Sequence, residues 1–206
     1  LLREVDSIKK MGLINSVEAA KATFTSMLWP PEKSNEFLKS FIAEVKQKEK
    51  PIQENRIKFF VSGAMLHNTE LFELIEEEGG VVIADDLCTG SRSIRGSISK
   101  EQEPLDALAS YYLAEDEINW QCPSMLTENR LEERLRYIEN AIENYGIHGV
   151  IFAIPIYCDM SSWDRVWLVH RLEEKGIRTL ILDQEGYMKT DAVRNRIAAF
   201  IETISR

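Results

Sequence analysis

Gly149-Val150-Ile151-Phe152-Ala153-Ile154-Pro155-Ile156-Tyr157-Cys158-Asp159 decides the fold class. The stretch from Val150 to Ile156 is continuously apolar, as strands of a parallel sheet are when both faces are covered. It runs out at Tyr157-Cys158-Asp159, and Ser161 or Ser162 is placed to cap a helix to Lys175 that Gly176 stops. Thr179–Leu182 reads as the next strand, and Thr190 caps a last helix whose inward face is Val193, Ile197, Phe200, Ile201 and Ile204. Upstream, Thr127 can cap a long amphipathic helix through Tyr145, with Leu131, Leu135, Ile138, Ala141 and Ile142 on one face and Gly146 at its end.

The same strand-then-helix grammar begins at Arg56. Ile57–Val61 is a short apolar strand ending at Ser62-Gly63. Thr69–Glu78 is a helix with Asn68 or Thr69 as cap and Gly79-Gly80 as stop. Val81–Ala84 is a second strand, and a polar loop from Gly90 to Glu103 leads into a helix over Pro104–Leu113. Strands joined by crossover helices predict an α/β fold with a doubly wound, mainly parallel four-stranded sheet of Rossmann or flavodoxin-like type. Residues 1–50 lack a strand pattern and read as a helical arm, with helices over Val17–Leu28 and Asn35–Lys48 separated at Trp29-Pro30-Pro31. Lys46–Glu54, charged and containing Pro51, reads as a linker, so the expected division is an arm over 1–50 and an α/β domain over 51–206.

With 206 residues, 44% hydrophobic and 29% charged, the chain has an ordinary globular composition. A chain of this size buries roughly 70% of its unfolded surface and needs no metal or disulfide merely to fold. Its net charge of −9 argues against a nucleic-acid partner and against an anionic membrane surface. No apolar run approaches the roughly 18–20 residues of a membrane span. Three widely spaced cysteines fit a reducing compartment, hence a cytoplasmic location, better than a disulfide scaffold. The chain starts at Leu1 rather than Met and is expected to be a fragment; a lost targeting segment is compatible with that.

Cys88, Cys122 and Cys158 carry the most chemistry. Each sits where an apolar or partly apolar segment runs out into a loop: Asp85-Asp86-Leu87-Cys88-Thr89-Gly90, Gln121-Cys122-Pro123-Ser124-Met125 and Tyr157-Cys158-Asp159. In open α/β sheets ligands bind outside the carboxyl ends of the strands. Any single free cysteine is more often a small buried hydrophobe. Three thiols at strand exits shift that balance toward a soft ligand, with an iron–sulfur cluster as the best candidate. The wide spacing excludes a CxxC zinc or thioredoxin signature and suits a cluster held between loops.

Asp85 and Asp86 could form a magnesium or general-base pair, but they read better as solvated loop carboxylates, because no second acidic motif supports them. Arg92 and Arg95, in Gly90-Ser91-Arg92-Ser93-Ile94-Arg95-Gly96, leave the same sheet edge as Cys88. They are an anion contact or a mobile basic loop, and the sequence leaves both open. His67, His148 and His170 are isolated and read as structural or exposed. No G-x-G-x-x-G, P-loop, nucleophile elbow, kinase set or H-E-x-x-H is present.

Four segments in order resemble one family. They are Asp85–Arg92, Cys122-Pro123-Ser124-Met125, Gly149-Val150-Ile151 followed by Tyr157-Cys158-Asp159, and Asn195–Glu202. Together they resemble the D-component of 2-hydroxyacyl-CoA dehydratases, whose superfamily includes benzoyl-CoA reductase subunits and double-cubane-cluster reductases. The fit runs from about residue 51 to the end, and the helical first 50 residues resemble the segment preceding that half.

The resemblance implies two α/β domains per subunit with a low-potential iron–sulfur centre between them. An ATP-dependent activator protein delivers one electron, which the cluster passes to a CoA thioester. In dehydratases a ketyl radical then expels the 2-hydroxyl; in benzoyl-CoA reductases the ring is reduced. Cys158 matches the family's cluster ligand in the second half most directly, and Cys88 and Cys122 match cysteines of many members. All three as ligands would suit the double cubane, which needs more thiolates than a single 4Fe–4S centre. The family's first domain, with its own cysteines, is absent from this chain. The expected partners are therefore that N-terminal domain, a homologous second subunit and the activator. Alone, the chain is expected to be inactive. Two alternatives stay open: a double-cubane reductase of small molecules, and a non-catalytic α/β docking module.

Overall fold

The computed structural model describes residues 1–47, 55–94, 97–113, 128–184 and 190–206. Four parallel strands form one sheet: β1 (Ile57–Gly63), β2 (Gly80–Asp85), β3 (Gly149–Pro155) and β4 (Arg178–Gln184), in the order β2-β1-β3-β4. β1 pairs with β2 from Ile57↔Gly80 to Val61↔Asp85, with a register shift between Phe59 and Phe60, and with β3 from Phe59↔Gly149 to Gly63↔Ala153. Because the chain steps from β1 to β2 on one side and then to β3 on the other, the order reverses at β1. That is the switch point beside which such sheets place ligands.

Alternation along the central strands fills two cores. Phe59, Val61, Val82, Ile151 and Ala153 point to one face, where α4 (Glu70–Glu77) contributes Leu71, Leu74 and Ile75 and α8 (Asp191–Ser205) contributes Ile197 and Phe200. Phe60, Ala84, Val150, Phe152 and Ile154 point to the other, against Leu135, Ile138 and Ala141 of α6 (Glu128–Tyr145) and Leu168 and Leu172 of α7 (Asp159–Glu174). Phe59, Phe60 and Phe152 are fully buried, each contributing roughly 1.5–3 kcal/mol of transfer free energy. Both faces being covered is why the strands read as unbroken apolar runs.

Ahead of the sheet, α1 (Leu2–Lys10), α2 (Ser16–Leu28) and α3 (Pro31–Val45) share a third cluster around Val5, Ile8, Ile14, Leu38 and Ile42. Ala20 of α2 turns into the sheet core instead, with Val17 and Phe24 beside it. Asn15 caps α2 in a reciprocal box with Glu18. Ser16 and Val17 also donate to the Glu76 carboxylate of α4. α5 (Pro104–Leu113) completes eight α-helices among the described residues. No helix among them is long and apolar enough to cross a membrane.

Several boundaries differ from the sequence reading, two helix starts most informatively. α3 begins at Pro31, not Asn35: Trp29 ends α2 in an extended conformation, and Pro31 at the first helical position lacks only an N–H that would be unpaired anyway. α7 begins at Asp159, ahead of either serine. Cys158 is its N-cap residue and its carbonyl accepts the Ser162 N–H at 3.0 Å, while Ser161 is buried inside the first turn. Thr190 caps α8 as expected, accepting from the Val193 N–H. The Thr127 cap and Pro51 lie outside the described residues.

Candidate functional site

The carboxyl edge of β1, β2 and β3 is built from charges that the sequence places far apart. A Cβ on Gly63 would overlap the Ala153 carbonyl oxygen, so glycine is required where β1 leaves against β3. Asp85 ends β2 and Asp86 follows it. They are 4% and 2% exposed, which overturns the expectation of solvated loop carboxylates. Each is kept buried by a cation that the local sequence does not supply.

Lys9 of α1 donates to Asp85 Oδ2 at 2.8 Å, with both side chains buried. Oδ1 of Asp85 accepts the N–H groups of Leu87 at 3.2 Å and Ser91 at 2.7 Å, so one carboxylate organises the turn that carries Cys88. A Cβ on Gly90 would overlap that same oxygen. Burial alone would push the Asp85 carboxyl up, but Lys9 and the two backbone amides outweigh it and hold it below its usual range. Burial likewise disfavours the Lys9 ammonium, yet Asp85 and Asp6 overcome this and bind its proton more tightly than water does.

Arg134 of α6 holds the second carboxylate. Its Nε donates to Asp86 Oδ2 at 2.6 Å, Nη1 to Asp164 Oδ2 at 3.0 Å and Nη2 to Ser62 Oγ at 2.8 Å. One guanidinium, 1% exposed, therefore joins β1, β2 and α7. Asp86 Oδ1 also accepts the Gly63 N–H at 3.1 Å. Burial raises the Asp164 carboxyl despite the opposing pull of Arg134.

Cys88 is half-buried, and its N–H bonds back to the Ala64 carbonyl at 3.3 Å. Thr89 Oγ1 donates to the Leu66 carbonyl and accepts the Leu66 N–H, tying the loops after β1 and β2 together. The 3-10 turn Ser91–Ile94 then folds Arg92 inward. Arg92 Nη1 donates to Cys88 Sγ at 3.4 Å, Nη2 donates to the Gly63 carbonyl, and the guanidinium lies 3.7 Å from Asp86 Oδ1. Its side chain is 3% exposed, which rules out the mobile basic loop as a reading of this arginine. A cleft of about 230 Å³ opens over Cys88, Arg92, Ser93, Tyr111 and Tyr112. The two tyrosine rings meet edge to face, and burial raises the Tyr111 hydroxyl pKa.

Cys158 leaves the end of β3. It is half-buried against the second core and sits at the N-terminus of the 16-residue α7, an end that favours negative charge. Cys122 and Arg95 lie outside the described residues. Among the described residues no three His, Cys, Asp or Glu side chains gather closely enough to hold a metal ion. Two described thiols, Cys88 and Cys158, follow β2 and β3, the strands on either side of β1, and they could supply part of an iron–sulfur ligand set but not a whole one.

Sequence reasoning does not single out Lys9, Ser62, Arg134 or Asp164. Arg134 carries a readable signal: it falls between Leu131 and Ile138, on the apolar face of its helix, where a charge needs a buried partner.

The all-parallel sheet covered by helices on both faces defines the fold class, and likeness to known proteins defines the family. The family model described as "2-hydroxyglutaryl-CoA dehydratase, D-component" matches residues 1–204, and the chain belongs to that family. It is 23% identical over 198 residues to the (R)-phenyllactyl-CoA dehydratase beta subunit of Clostridium sporogenes, covering 95% of this chain and 50% of that one. Identity to the beta subunit of the lactoyl-CoA dehydratase of Anaerotignum propionicum is 27% over 176 residues, covering 84% and 45%. With one of the benzoyl-CoA reductase subunits of Thauera aromatica it shares 22% over 183 residues, covering 86% and 46%. The chain thus spans about half the length of the curated relatives it matches.

Proposed function

We propose that this chain is the cluster-bearing second half of an iron–sulfur, radical-type enzyme subunit acting on a CoA thioester, either as a 2-hydroxyacyl-CoA dehydratase or as a benzoyl-CoA-reductase-like enzyme. The observation that carries this reading is the pair Cys88 and Cys158, leaving β2 and β3 on either side of the switch strand β1, in a chain of this family. Cys88, Cys158 and Cys122 would be thiolate ligands, and a 4Fe–4S or double-cubane cluster held there would supply low-potential one-electron chemistry. The protein's own part is placement. Asp85 fixes the Cys88 turn through two amides, Arg134 joins β1, β2 and α7, and the start of α7 presents Cys158.

Within the same proposal, the helical part over 1–50 is an arm of the α/β unit over 51–206. The remaining thiolates and the acyl-recognition groups come from the other half of a longer subunit. A homologous second subunit and an ATP-dependent activator complete a cytoplasmic enzyme.

The test is iron and acid-labile sulfide per subunit, with EPR after reduction, on the anaerobically purified full-length parent. About four irons support the dehydratase or benzoyl-CoA reductase type, and about eight the double-cubane type. No iron, even after reconstitution, would falsify the cluster reading. Dehydration by the 206-residue chain alone with its activator would refute the two-half arrangement.

A further inference from the structure

We infer that the outer face of α7, centred on Trp163 and Val166, docks an apolar surface of the other half of the same longer subunit. The inference rests on the two-half reading of that subunit. α7 carries apolar residues on opposite sides. Its inner line, Ser161, Asp164, Leu168 and Leu172, is buried, and the two leucines pack into the second core. Along the opposite side, at one-turn spacing, run Trp163, Val166, Trp167 and His170. Trp163 is 79% exposed, Val166 67%, and Tyr157, just ahead of the helix, 94%. Arg171 lies over the Trp167 ring, 5.5 Å from its centroid, while Trp163 stays uncovered among the described residues. A helix with apolar residues all round is normally buried all round, and large aromatics are the usual anchors of interfaces.

Size and charge select the occupant. At roughly 150–250 Å² per aromatic side chain, Trp163, Tyr157 and Val166 together expose roughly 300–500 Å². That falls within the roughly 300–750 Å² per side of an interface between domains of one chain, and short of the roughly 800 Å² per partner of a free-standing complex. A tethered partner needs less area, because the linker sets its effective concentration. The cations beside the patch pair within this chain, Arg165 with Asp183 and Arg171 with Glu132 and Glu174, which leaves an apolar surface to be matched. A second copy of this chain would bring its own net charge of −9 against the first. The curated relatives have about twice the matched length, room for a second domain of similar size.

The experiment is photo-crosslinking of the full-length parent with p-benzoylphenylalanine in place of Trp163, and separately of Val166, read by peptide mass spectrometry. Both positions are exposed, so neither replacement touches the core. The expected product keeps the mass of one subunit and joins α7 to a peptide outside the 206-residue stretch. A crosslink within that stretch, to a second copy or to the homologous subunit, or none from either position, overturns the inference. Trp163→Ser in the same parent should speed limited proteolysis between the halves by about tenfold or more, since cleavage tracks the undocked population and a central aromatic holds a large share of an interface. An unchanged rate also overturns it. A parent polypeptide without a second half removes the two-half reading and this inference together, whereas crosslinks elsewhere in a two-half parent sink the inference alone.

Discussion

Replacing Arg134 with methionine removes one buried cation and leaves two buried carboxylates. Asp86 would keep the Gly63 N–H at 3.1 Å and the more distant Arg92; Asp164 would lose its 3.0 Å bond to Nη1. Ser62 Oγ would lose its donor as well. Breaking a buried pair by deleting one partner costs about 3–5 kcal/mol, and here one deletion strips two acids, so the upper part of that range is expected. The loss should appear in urea unfolding followed by circular dichroism, as a lower midpoint at unchanged slope. The pH dependence is the sharper arm. Burial already raises the Asp164 carboxyl in the wild type, and losing Arg134, which pulls it down, should raise it further. The penalty at Asp164 is then full above its folded-state value and is relieved as pH falls through it. Asp86→Asn and Asp164→Asn in the Arg134→Met background should recover part of the loss at neutral pH for the same reason. A loss below about 1 kcal/mol at pH 7, or one that does not shrink toward acid pH, would refute the claim that this guanidinium neutralises the sheet edge.

Lys9→Met should cost about 3 kcal/mol or more by leaving Asp85 buried without its cation. In wild type the depressed Asp85 pKa gives stability that is present above its unfolded value of about 4 and lost as pH falls through the folded value, so unfolding free energies between about pH 2 and 7 should show that dependence weakened in the variant. Gly90→Ala should cost about 1–3 kcal/mol, because its Cβ overlaps the Asp85 carboxylate, with the urea midpoint as the measurement. Cys88→Ser and Cys158→Ser, both at half-buried positions, should lower iron per subunit in the full-length parent while leaving stability in urea within about 1 kcal/mol of wild type; retained iron in both would exclude them as ligands.

The strands are legible because burial on both faces leaves an apolar run that composition alone reveals, as at Val150–Ile154. Gly79, Gly146 and Gly176 are legible helix stops for a related reason: each adopts positive φ, which glycine takes without steric cost. The thiols stand out by their place after strands. The carboxylates do not, because solvation is a tertiary property. Asp85 meets a lysine 76 residues away, and Asp86 an arginine 48 residues away. Periodicity can flag Arg134 and Lys9 as charges in apolar faces, but not which acids they meet.

Helix α1 belongs physically to the cysteine site. Lys9 holds Asp85, whose other oxygen orders Leu87 and Ser91, and Arg3 Nε donates to the Ile94 carbonyl at 3.1 Å, where the 3-10 turn ends. The Cys88 loop is thus gripped at both ends by one helix. The void between α1, α2 and that loop is about 30 Å³, enough for a water or two and too small for an acyl group. Among the described residues the open side of the Cys88 loop is instead the cleft over Cys88, Arg92, Ser93 and the two tyrosines. On the proposed reading of Cys88 as a cluster ligand, such a mounting would help it, since a rigid site need not reorganise when charge changes. Displacing α1 should therefore disturb Cys88 before it disturbs the sheet, even though Lys9 and Cys88 lie far apart in the sequence.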